Sequence, residues 1–176
     1  MLSKKLLGNK EKFAIEYEIE STYKQFMYGK ICYWIQEKQI GKYDDRETLS
    51  DILLFIPSIV RDNGNRKHER LFGLKMDKVI YLLSGAAFLD GNMEIEKNAN
   101  EEQWTRFNIS MPVNTFNDTY TFLIDSNEKS RVIFMDNKGE CHQSFMDKGY
   151  IDKILYQLYM ELNSFYEEIC WKAEKM

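Results

Sequence analysis

Apolar and polar side chains alternate from residue 13 onward, and the period of that alternation changes along the chain. In residues 13–20, Phe13, Ile15, Tyr17 and Ile19 fall on one side, with Glu16, Glu18 and Glu20 on the other. That period of two predicts a half-buried strand with a solvated acidic face. Residues 26–35 repeat the period, with Met27, Gly29, Ile31, Tyr33 and Ile35 in register. Their opposite side (Tyr28, Lys30, Cys32, Trp34) is less polar, which implies partial cover. A short third strand is predicted over residues 39–43, after a turn at Glu37-Lys38. From Thr48 the spacing lengthens to Leu49, Ile52, Leu53, Ile56 and Val60, the stripe of an amphipathic helix. Thr48 or Ser50 can cap it, Asp51 suits its positive end, Pro57 bends it, and Asn63-Gly64 supplies a left-handed stop. A second helix is predicted over residues 76–88, with Val79, Leu82, Leu83 and Ala86 inward and Asp90-Gly91-Asn92 as its end.

Residues 92–103 are polar and predict a surface loop. Alternation then returns in residues 105–111 and 120–124, and in a hairpin of residues 131–135 and 140–145 around Asp136-Asn137-Lys138-Gly139. A long helix over residues 148–172 closes the chain, its stripe formed by Ile151, Ile154, Leu155, Leu158, Leu162, Phe165 and Ile169. This order predicts one α+β domain over residues 1–176. Its mainly antiparallel sheet has about six to seven strands, with two central helices and the long C-terminal helix packed on it. No glycine-rich phosphate loop follows any strand, which argues against a doubly wound nucleotide-binding fold.

Composition narrows the function. Apolar residues at 44% and aromatics at 14% suit a packed core. A net charge of -4 argues against nonspecific nucleic-acid binding and favours, weakly, a basic partner. The N-terminus lacks the apolar core of a signal peptide, and no run is long enough to span a membrane. Cys32, Cys141 and Cys170, odd in number and far apart, predict reduced thiols and hence a cytoplasmic location.

Chemistry-bearing residues are sparse. His68 and His142 stand in no metal-ligand spacing, so neither metal nor cofactor is expected. His68 is expected as a solvated loop residue and His142 on one face of a strand. Cys141 and His142 are neighbours on a predicted strand, where they point to opposite faces, which makes Cys141 a packed thiol. Asp136 and Lys138 have the Asp-x-Lys spacing of some Mg²⁺-dependent nucleases, but fall where a hairpin turn requires Asp, Asn and Gly. Arg61, Arg66, Lys67, His68 and Arg70 form a basic cluster that suits a solvated loop. Tyr33, Trp34 or Trp104 could line a small-molecule pocket under the last helix. Glu16, Glu18, Glu20, Asp44 and Asp45 are the candidate partner interface, the outer side of a half-exposed strand being the competing explanation.

Several segments taken in order are distinctive: residues 12–19, then Gly29-Lys30-Ile31-Cys32-Tyr33-Trp34-Ile35, Ile40-Gly41, Asp62-Asn63-Gly64-Asn65-Arg66 and Leu71-Phe72. Together they resemble the immunity protein 42 family of bacterial polymorphic toxin systems, the likeness running from about Gly8 to Phe72. The resemblance implies a protein that binds and neutralises a cognate toxin and has no catalytic site. Tyr33, Trp34 and residues 62–66 are its motif positions, expected to serve structure. The fifth of these, Arg66, is expected to tie the following loop to nearby carboxylates or carbonyls.

Overall fold

The computed structural model describes residues 3–88 and 93–174 of the 176-residue chain. It is an α+β fold in which eight antiparallel strands divide between two sheets. The first sheet holds β1 (Ser3–Asn9), β2 (Phe13–Tyr23), β3 (Phe26–Ile35), β4 (Lys38–Ile40) and the two-residue β5 (Glu47–Thr48), in the order β1-β2-β3-β4, with β5 also on β3. The helices α1 (Leu49–Arg61), α2 (Glu69–Gly73), α3 (Met76–Phe88) and α4 (Met93–Glu101) follow. The second sheet is β6 (Thr121–Asp125), β7 (Lys129–Met135) and β8 (Cys141–Asp147) in chain order, and α5 (Tyr150–Glu174) ends the chain.

The period-two side of β2 and β3 becomes the main core. Phe13, Ile15, Tyr17, Ile31, Tyr33 and Ile35 bury against Leu49, Ile52 and Ile56 of α1 and Ile151, Leu155, Leu158 and Leu162 of α5. One face of the second sheet, through Leu123, Val132, Phe134 and Met146, joins this cluster. Its other face, through Phe122, Ile124 and Ile133, packs on Leu71, Val79, Leu83, Trp104 and Phe107. The second sheet is thus a middle layer with apolar partners on both sides, which accounts for the unbroken burial of β6. Gly29 marks the closest approach of layers: a Cβ there would lie 1.8 Å from the Glu18 carbonyl oxygen and 2.8 Å from Leu49. The same place carries the one register shift between β2 and β3, between Ile19 and Ser21, which leaves Glu20 out of the ladder.

Four expectations change. The strands form two sheets rather than one, because the second sheet needs cover on both faces. The N-terminal strand β1, unforeseen, pairs with β2 along its whole length. Within the predicted polar loop, α4 forms against α3. The predicted strand over residues 105–111 is replaced by a 3-10 turn, Trp104–Phe107, which buries Trp104 and Phe107 three positions apart. Asn108 bridges to β6, Ile109 donates its N–H to the Thr121 carbonyl, and Ile109 and Met111 still reach the main core. The stop predicted for α3 at Asp90-Gly91-Asn92 lies outside the described residues.

Candidate functional site

The pentapeptide after α1 carries the chain from the surface into the interior at Arg66. Asp62 closes the helix, donating its N–H to the Ser58 carbonyl, and Asn63 donates to Val60. Gly64 follows at φ +81°, a left-handed position with open space where a Cβ would be. The chain then turns inward at Arg66, whose side chain is fully buried. Its guanidinium donates to three elements: the Arg106 carbonyl at 2.9 Å, the Ile59 carbonyl of α1 at 2.5 Å, and the Asp152 carboxylate of α5 at 2.5 Å. Its own carbonyl accepts the Asp125 N–H, and the His68 N–H returns to the Asp125 carbonyl, which lays residues 66–68 along β6. Burial pushes the Asp152 carboxyl above its ordinary value, and the charge of Arg66 only partly offsets this. Arg66 therefore ties a carboxylate and two carbonyls together. Asp152, the other half of the pair, went unsuspected because an acid in the first turn of a helix is ordinary.

Within the basic cluster around Arg66, Arg61, Lys67 and Arg70 are exposed while Arg66 is buried. His68 is not a solvated loop residue: it caps α2, accepting the Leu71 N–H at Nδ1, while Nε2 lies 2.6 Å from Glu102. Arg70 and the Trp104 indole N–H also reach Glu102. Arg131, whose basic side chain disappears into the middle sheet, donates to the carbonyls of Phe72 and Leu74 at 2.8 and 2.7 Å and so satisfies the end of α2.

The acidic side of β2 is not a bare negative face. Glu16 accepts Lys4 at 3.0 Å, Lys10 at 2.6 Å and the Trp34 indole N–H at 2.8 Å. The Lys10 ammonium lies 3.8 Å from the centre of the Trp34 ring. Burial alone would lift the Glu16 carboxyl, but Lys10, Lys4 and Trp34 outweigh it and hold it below the usual range. Glu18 is buried and meets the Tyr43 hydroxyl; Glu20 pairs with Lys30 and Arg46. Asp44 and Asp45 remain outside, Asp44 almost fully exposed and 3.9 Å from Lys30. Underneath, Cys32 is fully buried and its thiol is pushed up to about 12, by burial first and then by Glu16. The lysines that neutralise this strip come from β1 and from the β1–β2 turn, which local alternation in β2 cannot reveal.

Tyr33, Trp34 and Trp104 share no pocket. Tyr33 points into the main core between Phe13 and Phe116, its hydroxyl donating to the Ile109 carbonyl; Trp34 lies on the outer face; Trp104 belongs to the second core.

Asp136 serves its turn. Oδ1 accepts the N–H groups of Lys138 and Glu140 at 2.9 and 3.0 Å, and Oδ2 faces His142 Nε2 at 2.8 Å. Burial would raise this carboxyl, yet His142 and the two N–H groups hold it below its ordinary value. The Lys138 side chain is exposed, and the ammonium nearest Asp136 is Lys38, at 3.9 Å. Asp136, Glu140 and His142 bring potential metal-ligand atoms within 4.8 Å of one another, but Asp136 already holds the turn with both oxygens. Asn137 docks the turn on the first sheet, exchanging two hydrogen bonds with the Gly41 backbone at 2.8 and 3.0 Å.

Among the described residues no helix is long and apolar enough to cross a membrane. A comparison with curated proteins finds no match. Among solved structures, the crystal structure of CdiI from Burkholderia dolosa AUO158 has a similar fold, with a TM-score of 0.70 at 18% identity, covering 89% of this chain and 99% of that one. Compared with known families, residues 1–161 match Immunity protein 42. The chain belongs to the Immunity protein 42 family and is a toxin-neutralising immunity protein, whose partner is a cognate toxin.

Proposed function

We propose that the protein neutralises its toxin in the cytoplasm by binding alone, without chemistry of its own, and that the toxin is basic. The observation that carries the binding mechanism is the employment of Asp136. The residue with the best claim to metal-assisted catalysis spends both carboxylate oxygens on its own hairpin. The net charge of -4 and the outward position of Asp44 and Asp45 suit a basic partner, which an acidic inhibitor captures faster. Glu16 and Glu18 are spent on internal partners and Glu20 pairs with Lys30 and Arg46, so any steering from this side falls first to Asp44 and Asp45.

Co-expression with the C-terminal domain of the toxin encoded beside it is the test. The wild-type protein should restore growth and co-purify with that domain. Growth restored without a complex would overturn binding as the mechanism. Changing Glu20, Asp44 and Asp45 together to lysine should slow association by about tenfold at low salt and less at high salt; an unchanged association rate would remove the basic-partner assignment.

A further inference from the structure

Of the lateral edges at β1, β4, β6 and β8, three are lined with lysine, short or covered. Along β1, Lys4 and Lys5 are paired with Glu16 and Glu161, and lysine on an edge discourages further pairing. Three residues long, β4 ends where Asn137 bridges the Gly41 backbone. On the outer side of β6, residues 66–68 and Ile109 supply backbone partners. The fourth edge, β8, is seven residues long and contains neither lysine nor proline. Its register with β7 has no shift, and among the described residues no backbone group bonds its outer side.

Which β8 groups point outward follows from the turn. Asp136 donates its N–H to the Glu140 carbonyl, and Lys148 donates to Glu128 at the other end of the ladder. Antiparallel pairs alternate, so Phe134↔His142, Val132↔Ser144 and Ser130↔Met146 are the hydrogen-bonded pairs. Cys141, Gln143, Phe145 and Asp147 therefore turn their N–H and C=O groups away from β7. Phe145 is 55% exposed and rests edge-on against Phe72, its ring centre 5.8 Å away. A cleft of ≈ 360 Å³ opens along residues 144–147 and is lined as well by Glu11, Lys12, Gln36, Lys129 and Tyr150.

We propose that the open edge of β8 is a docking site for one extended segment of the toxin, which adds a strand to the second sheet. The proposal rests on the immunity function above. Outward donors and acceptors at every second residue match a polypeptide backbone, and the Phe145–Phe72 pair offers an apolar partner to a side chain on that strand.

Amide hydrogen exchange followed by NMR tests this on the wild-type protein, with and without the C-terminal domain of the toxin encoded beside it. Free, the amides of Gln143, Phe145 and Asp147 should exchange quickly, and those of His142, Ser144 and Met146 slowly. The bound state should protect the first set as well. A complex in which Gln143, Phe145 and Asp147 still exchange quickly would overturn the proposal. Protection without toxin, accompanied by a doubled mass, would overturn it in favour of a second copy. If no complex forms at all, the immunity function itself fails, and the docking site with it. Two variants separate backbone from side chain. Phe145→Pro removes an outward donor and keeps the β7 ladder, and should weaken toxin binding about tenfold; Phe145→Ala should weaken it less. Equal losses would assign the effect to the ring and overturn strand addition.

Discussion

Two charge clusters in this protein use similar residues to opposite ends. Arg66 and Asp152 are buried at the meeting point of α1, α5 and the loop into α2, and every Arg66 contact is internal. Lys4, Lys10, Glu16 and Glu18 lie on the outer face of the first sheet, where lysine ammonium groups stay half in water. Buried charges gain little net energy from pairing, because desolvation consumes most of the attraction, but breaking such a pair strands a charge in an apolar site. Outer pairs are screened and each is worth about 0–1 kcal/mol. The first cluster therefore determines whether the elements assemble; the second keeps a strand face soluble and neutral.

The largest effect should come from Arg66→Met, which leaves Asp152 unpaired and two carbonyls unsatisfied, costing about 3–5 kcal/mol in urea unfolding. Adding Asp152→Leu should recover part of that loss. A single variant costing under about 1 kcal/mol would erase the contrast between the clusters. Asp136→Ala follows, at about 1–3 kcal/mol, for two N–H groups left without an acceptor. Gly64→Val should cost about 1–2 kcal/mol from its φ alone, since the space around Gly64 is open. It should leave toxin binding intact once the variant is folded. Lost binding with full stability would turn the pentapeptide from scaffold into interface. Glu16→Gln should be smallest, under about 1 kcal/mol.

Acid titration sharpens the same contrast. Asp136 and Glu16 have folded values below their unfolded ones, so their contributions are complete above about pH 4 and disappear as pH falls through the folded values. Asp152 is shifted upward, so its ionisation removes stability as pH rises from about 4 through its folded value. Thermal melts between pH 7 and pH 2.5 should therefore show an acid loss that Asp136→Asn flattens and Asp152→Asn does not.

Elements whose partners lie close in sequence were legible from the chain. The strand alternation of residues 13–20 and 26–35, the stripe of α1, the bounds of α3 and the β7–β8 hairpin all reappear. Gly64 at φ +81°, just beyond a helix, was legible for the same local reason. Residues 104–107 were not, because a short apolar pattern fits a strand or a turn, and only the cleft between α3 and β6 selects the turn. The solvated acidic strip was overstated because the lysines on Glu16 come from β1, a strand with little alternation of its own, and from the β1–β2 turn.

The sequence by itself determined the period of each element, the α+β class and, through the residues 12–72 motifs, the family. Periodicity and turn chemistry are local properties, so each segment carries them unaided. Only tertiary structure decided that the strands split into two sheets, that Arg66 would meet Asp152 eighty-six positions away, and that, among the described residues, the β8 edge would be left without a backbone partner. Those outcomes depend on which buried polar groups find partners across distant segments, and no local pattern encodes that.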